Sequence, residues 1–219
     1  NHIEVKIGLL NPLTGPIDVY APAFTDAGDL AIADLNDGQT DYHFSIVEAD
    51  SGCDGTSAAT GAQTLIDAGV VGIAGAACSG ATLGAMVIAR DASIPMLSYA
   101  STSPALTTAD DGGFLFRVVP SDAQQGMAMA SMAAQHAWTN PGLIYMTNDY
   151  GAGLAAVVEG AYAMAGQDMC ITIAYDDDTT DFASSVTSFA EAECDSLIMV
   201  TYASDGAALL EEMAVQGIH

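Results

Sequence analysis

Strand-like and helix-like segments alternate along almost the whole of this 219-residue chain. A strand is predicted over Glu4 to Leu10. Phe24, Ala27, Ala31 and Leu35 then recur at helical spacing, with Gly38 placed to end that helix. His43 to Ala49 reads as a strand, and Thr56 to Ala68 as a small-residue helix closed by Gly69. Val70 to Ala74, Pro95 to Tyr99 and Phe114 to Val118 read as further strands, with a helix over Ala81 to Arg90. After Pro120 the cycle restarts. Helices over Asp122 to Ala137, around Leu154 to Met164 (closed by Gly166), over Asp181 to Ala192 and over Asp205 to Val215 separate strands at Leu143 to Thr147, Met169 to Tyr175 and Ser196 to Tyr202. Such alternation implies α/β architecture: parallel sheets flanked by helices, joined by right-handed crossovers. The restart suggests two lobes, 1–119 and 120–219, joined near Val118 to Ser121.

One local pattern occurs in both halves. Ile94-Pro-Met-Leu-Ser-Tyr-Ala-Ser-Thr-Ser-Pro104 is echoed by Leu197-Ile-Met-Val-Thr-Tyr-Ala-Ser-Asp205. Each is a short apolar run that stops at small hydroxyl residues. Parallel sheets bind ligands beyond the carboxyl ends of their strands, so these steps read as one binding design built twice, with backbone N–H groups and hydroxyls left to grip a small polar ligand.

Charge narrows the partners. Lys6, Arg90 and Arg117 stand against 28 carboxylates, for a formal charge of −25. Such a field repels nucleic acid and anionic membrane. It also repels itself, and salt relieves that: the Debye length falls from about 8 Å at physiological strength to about 3 Å at 1 M. Saline, extracytoplasmic surroundings are one expectation; an ordinary acidic protein is the other. No apolar run is long enough to span a bilayer. The chain begins Asn-His-Ile-Glu, without initiator Met or signal-peptide pattern, and reads as a trimmed form.

The four cysteines fall as Cys53/Cys78 and Cys170/Cys194, at nearly equal spacing and without a C-x-x-C pair. Two disulfides fit an oxidising compartment and are favoured over four buried free thiols. Loops of this length would stabilise by about 3.5 kcal/mol each in the chain-entropy model.

Catalytic and cofactor signals are weak. Gly151-Ala-Gly-Leu-Ala-Ala156 fits a dinucleotide-binding pattern, but Asp149 beside it would repel a pyrophosphate, and the glycines suit a tight turn and close packing. Asp176, Asp177, Asp178 and Asp181 lack the glycine a calcium loop requires. Met127, Met129 and Met132 suit core filling better than copper. His2, His43, His136 and His219 show no paired metal-ligand spacing, so no metal and no cofactor is expected, and no G-x-S-x-G elbow is present.

Several segments in order carry a family resemblance: Ile7-Gly-Leu-Leu-Asn-Pro-Leu-Thr-Gly-Pro16, Gly75-Ala-Ala-Cys-Ser-Gly80, Pro95-Met-Leu-Ser-Tyr-Ala-Ser-Thr-Ser-Pro104, Phe116-Arg-Val-Val-Pro-Ser-Asp122 and Asn148-Asp-Tyr-Gly151. The chain resembles the type I periplasmic binding proteins of the leucine/isoleucine/valine-binding kind, the solute receptors of branched-chain amino-acid ABC transporters. The resemblance implies a two-lobed fold, a small amino-acid-like ligand, a membrane permease as partner, a monomeric receptor and no catalysis. Cys53 and Cys78 match the disulfide common in that family's first lobe.

Position by position, the resemblance implies that Ser79 donates its hydroxyl and N–H to the ligand carboxylate. The Ala100 carbonyl would accept from the ammonium, and Thr102, with Ser101 beside it, would use both hydroxyl and N–H. Tyr20 would flank the ligand from the first lobe, and Tyr150 and Tyr202 from the second. No Arg or Lys is expected near any of these steps, so no guanidinium clamp is available and neutral donors at helix starts are expected to hold the carboxylate. Family members are about half again as long, and their acidic ammonium partner comes slightly later. Asp205 is the candidate within this chain, with a helix N-cap as its competing role. A ligand-sensing domain of the same fold, or a nucleotide-binding enzyme using the Gly151 turn, are the alternatives.

Overall fold

The computed structural model describes residues 2–38 and 41–218. His219 lies outside the described residues. The chain divides into two compact units: residues 1–102 with 108–119, and residues 103–107 with 120–219.

The first unit is built on a five-stranded, all-parallel sheet of order β2-β1-β3-β4-β5. Its strands are β1 (Ile3–Asn11), β2 (Tyr42–Asp50), β3 (Ile73–Gly75), β4 (Met96–Ser98) and β5 (Leu115–Arg117). β4 and β5 are each one residue shorter at either end than the apolar runs predict, and β3 begins three residues after the predicted start at Val70. α1 (Ala21–Asn36) ends as expected before Gly38, whose φ of 74° suits the left-handed position past a helix end.

α2 (Gly55–Asp67) and α3 (Ser79–Asp91) share the other face. There Leu10, Leu65, Ile73, Met86 and Met96 pack among buried alanines of both helices. Small residues let those helices approach closely: a Cβ on Gly84 would collide with the Gly55 backbone. Asp54 caps α2, accepting from the N–H groups of Thr56 and Ser57 at 2.9 Å each. A disulfide joins Cys53 to Cys78 with Cα atoms 5.2 Å apart, tying the loop after β2 to the start of α3.

The second unit holds a three-stranded parallel sheet of order β7-β6-β8, from β6 (Pro141–Met146), β7 (Ile171–Tyr175) and β8 (Ser196–Val200). α5 (Asp122–Gln135) and α6 (Asp149–Met164) supply one layer; α7 (Ala183–Glu191) and α8 (Ala203–Val215) supply the other. α4 is a single turn, Ala105–Thr108. Alternate residues of β6 serve the two layers. Leu143 packs with Leu154, Val158 and Tyr162, whereas Ile144 and Met146 pack with Phe182, Val186, Phe189 and Leu209. A central strand buried on both faces needs such an unbroken apolar run. Cys170 and Cys194 form the second disulfide, with Cα atoms 5.6 Å apart. No helix among the described residues is long and apolar enough to cross a membrane.

Candidate ligand-binding site

In each unit the topology creates a place where neighbouring strands send their following helices to opposite faces, which is where open α/β sheets bind ligands. In the first unit this lies between β1, followed by α1, and β3, followed by α3. In the second it lies between β6, followed by α6, and β8, followed by α8. Apart from Ala100 to Thr102, which follow the neighbouring β4, the residues singled out from sequence stand at these two places.

In the first unit β3 ends beside the Leu10 carbonyl so tightly that Gly75, at φ 132°, has no room for a Cβ. The chain then turns into α3, and Ser79 is its first residue, 2% exposed. Its backbone N–H belongs to the first turn of the helix, where the helix dipole favours negative charge. The loop after β4 is fastened to this turn by buried hydroxyls. Ser98 Oγ donates to the Ala76 carbonyl at 2.7 Å. Ser101 Oγ lies 2.9 Å from the Ala77 carbonyl and 2.8 Å from Thr82 Oγ1. The Ser101 N–H donates to Ser98 Oγ at 3.0 Å.

Ser101, 1% exposed, thus spends its side chain inside the protein. It fixes the backbone of Ala100 and Thr102, both only half-buried. Tyr20 ends a 3-10 turn before α1 and is 45% exposed. Its ring contacts Phe24, which contacts Tyr99 at 5.0 Å; Tyr99 Oη in turn donates to Asn11 Oδ1 at 3.2 Å.

One expectation is corrected here. A cation does adjoin the hydroxyl step: Arg117 Nη1 donates to the Ser101 carbonyl at 3.4 Å. Sixteen residues separate the two in sequence, but β4 and β5 pair with Ser98 opposite Arg117, and that register delivers the guanidinium.

The second unit brings its three candidates into one cluster. Asn148 caps α6, accepting from the Gly151 N–H at 2.9 Å, which sets Tyr150 in the first turn. Tyr202 is the N-cap residue of α8. The rings of Tyr150 and Tyr202 stack with centroids 5.6 Å apart and planes within 10°. Asp205 is not the N-cap. It sits three residues into α8 from that position, accepting from the Tyr202 N–H at 3.2 Å and from the Tyr175 hydroxyl. β8 stops at Val200, two residues before the predicted end, and so the helix starts earlier than the Asp suggests.

The cluster is acidic. Burial, then the charges of Asp122 and Asp205, push the Tyr150 phenol up. Burial, then Asp177, does the same for Tyr202, and burial with the Asp205 hydrogen bond for Tyr175. Burial raises the Asp177 carboxyl too, opposed by its bond from Asn148 Nδ2 at 3.2 Å. Asp122, Tyr175 and Asp177 were not foreseen from sequence as members of this cluster: Asp122 opens α5, Tyr175 ends β7 and Asp177 lies in the loop after it.

Comparison with known proteins gives a consistent set of relatives. The family described as periplasmic binding protein matches residues 4–219. The Leu/Ile/Val-binding protein of Escherichia coli K12 is 29% identical over 161 residues, covering 71% of this chain and 43% of that protein. The leucine-binding protein of Thermotoga maritima superposes with a TM-score of 0.84 at 25% identity, covering 97% of this chain and 60% of its own. A solute-binding protein of an ABC transporter from Rhodopseudomonas palustris BisB5, in complex with 3,4-dihydroxybenzoic acid, superposes at 0.87 with 21% identity, covering 98% and 59% respectively. The chain thus spans less than half the length of its Escherichia coli relative.

Proposed function

The chain belongs to the periplasmic binding protein family, and on that premise we propose that it binds a small amino acid at these strand ends and delivers it to an ABC permease outside the cytoplasm. The observation that carries this is the opposite polarity of the two strand-end clusters. The first offers donors: the α3 N-terminus with Ser79, the Thr102 step and the nearby Arg117. The second offers acceptors: Asp122, Asp177 and Asp205 among tyrosines 150, 175 and 202. A zwitterion needs one of each, the carboxylate at helix-start donors and the ammonium near carboxylates. The role proposed is binding without chemistry. The −25 charge fits extracytoplasmic, saline surroundings, where it is screened.

The stacked pair Tyr150–Tyr202 favours a second reading, an aromatic acid, since rings lying 5.6 Å apart present flat apolar faces. Isothermal titration with leucine, isoleucine, valine, threonine and alanine, alongside 3,4-dihydroxybenzoate, separates the two. Saturable binding of an aliphatic amino acid, weakened by Ser79→Ala, supports the first reading. Binding of the benzoate alone establishes the second in its place, and binding of neither defeats both.

A further inference from the structure

At the amino-terminal end of β1, away from the strand ends just described, the parallel pairing of β1 with β2 sets Glu4 opposite His43. His2 lies two residues before Glu4, and side chains two apart along an extended chain share a face. The carboxylate sits between the two rings, with Glu4 Oε1 3.0 Å from His2 Nε2 and Oε2 3.0 Å from His43 Nδ1. The ring centroids are 5.3 Å apart, and all three groups have ligand atoms within 4.8 Å of one another. All three side chains are about half exposed, so an ion reaches them without rearranging a core.

We propose that His2, Glu4 and His43 form a binding site for a divalent transition metal of the zinc class. Two imidazoles and one carboxylate suit zinc, nickel or copper, whereas magnesium and calcium prefer all-oxygen shells. An ion bound there takes one neutral ring nitrogen from each histidine, at about 2.0–2.1 Å for zinc, one carboxylate oxygen, and water in the remaining position. The carboxylate that now bridges the rings moves only far enough to share the ion with them. The net charge of −25 concentrates cations around the whole molecule, so selectivity over magnesium is what distinguishes a site from an atmosphere.

Seven residues separate Glu4 from Asn11 along β1, about 23 Å at the rise of a parallel strand. Metal binding is therefore separable from the amino-acid site at the other end of the sheet. Its structural consequence is to clip the edge strand β2 to β1.

The test is calorimetric titration of zinc chloride into chelator-stripped, desalted protein, in about a hundredfold excess of magnesium. One saturable zinc per chain is expected, weakened about tenfold or more by His43→Gln and by His2→Gln. In the unaltered protein, one equivalent of zinc shifts the ring-proton resonances of His2 and His43 and leaves those of His136 in place, a readout independent of how the variants fold. No saturable binding above magnesium, equal affinity in His43→Gln, or unmoved His2 and His43 resonances would each overturn the proposal.

Discussion

Replacing Ser101 by Ala should loosen the loop that carries Ala100 and Thr102, and the size of the effect follows from the hydroxyl's surroundings. Ser101 Oγ is buried within 2.9 Å of the Ala77 carbonyl and 2.8 Å of Thr82 Oγ1. Both distances are those of well-formed hydrogen bonds. Removing one partner of a buried bond costs about 1–3 kcal/mol, because the groups left behind keep their desolvation penalty. With a urea m-value of about 2 kcal/mol/M for a domain of this size, a loss of about 2 kcal/mol moves the midpoint by about 1 M. Thr82 is fully buried as well, and Thr82→Val removes the other end of the same contact. The double variant should then cost less than the sum of the singles, by about 0.5–3 kcal/mol. Urea unfolding followed by circular dichroism reads both quantities. A Ser101→Ala midpoint within about 0.2 M of the parent, or strictly additive costs, would refute the idea that this hydroxyl fastens the loop.

Two further outcomes follow from other parts of the structure. The Asp54 carboxyl is held below its ordinary value of 3.8, first by its side-chain bond with Ser57 and then by the helix-start N–H groups. A lowered folded pKa means stability is fully present above about pH 4 and is lost as pH falls through the folded value. Asp54→Asn, which keeps the capping oxygen, should leave the melt at pH 7 within a few tenths of a kcal/mol and flatten the acid limb, whereas Asp54→Ala should cost about 1 kcal/mol at pH 7 and less in acid, where the parent has itself lost the carboxylate's contribution; an acid limb identical in all three proteins would contradict this. The paired change Cys170→Ser with Cys194→Ser, opening a loop of 24 residues, should destabilise the second unit by up to about 3.5 kcal/mol. The sole tryptophan, Trp138, belongs to that unit and reports its unfolding by fluorescence; an unchanged midpoint would count against the chain-entropy estimate.

Local patterns carried much of the architecture. Helix ends at Gly38, Gly69 and Gly166 are readable because all three adopt positive φ, and the buried runs of β6 and β8 announce parallel strands. Strand bounds were harder, since apolar character extends past the paired residues: β3 begins only at Ile73, inside an apolar run that opens at Val70. The same effect hid the true start of α8, and with it the place of Asp205.

For the site, Ser79, Tyr150 and Tyr202 stand at the strand ends because the turns that hold them are local. Arg117 and the pair His2/His43 acquire their neighbours only through strand register, Ser98 opposite Arg117 and Glu4 opposite His43. Register is a tertiary fact with no counterpart in linear spacing. The acidic character around Tyr150 likewise comes from Asp122, 28 residues earlier in the chain.

Hydrogen exchange by mass spectrometry, with and without saturating leucine, bears most directly on the proposal that a small amino acid binds at the strand ends singled out in each unit. Slowed exchange is expected in two separate regions at once: peptides covering Ser79 and Ala100 to Thr102, and peptides covering Asn148 to Gly151 and Thr201 to Asp205. Protection confined to one of these regions, with the other unchanged at saturation, would contradict it.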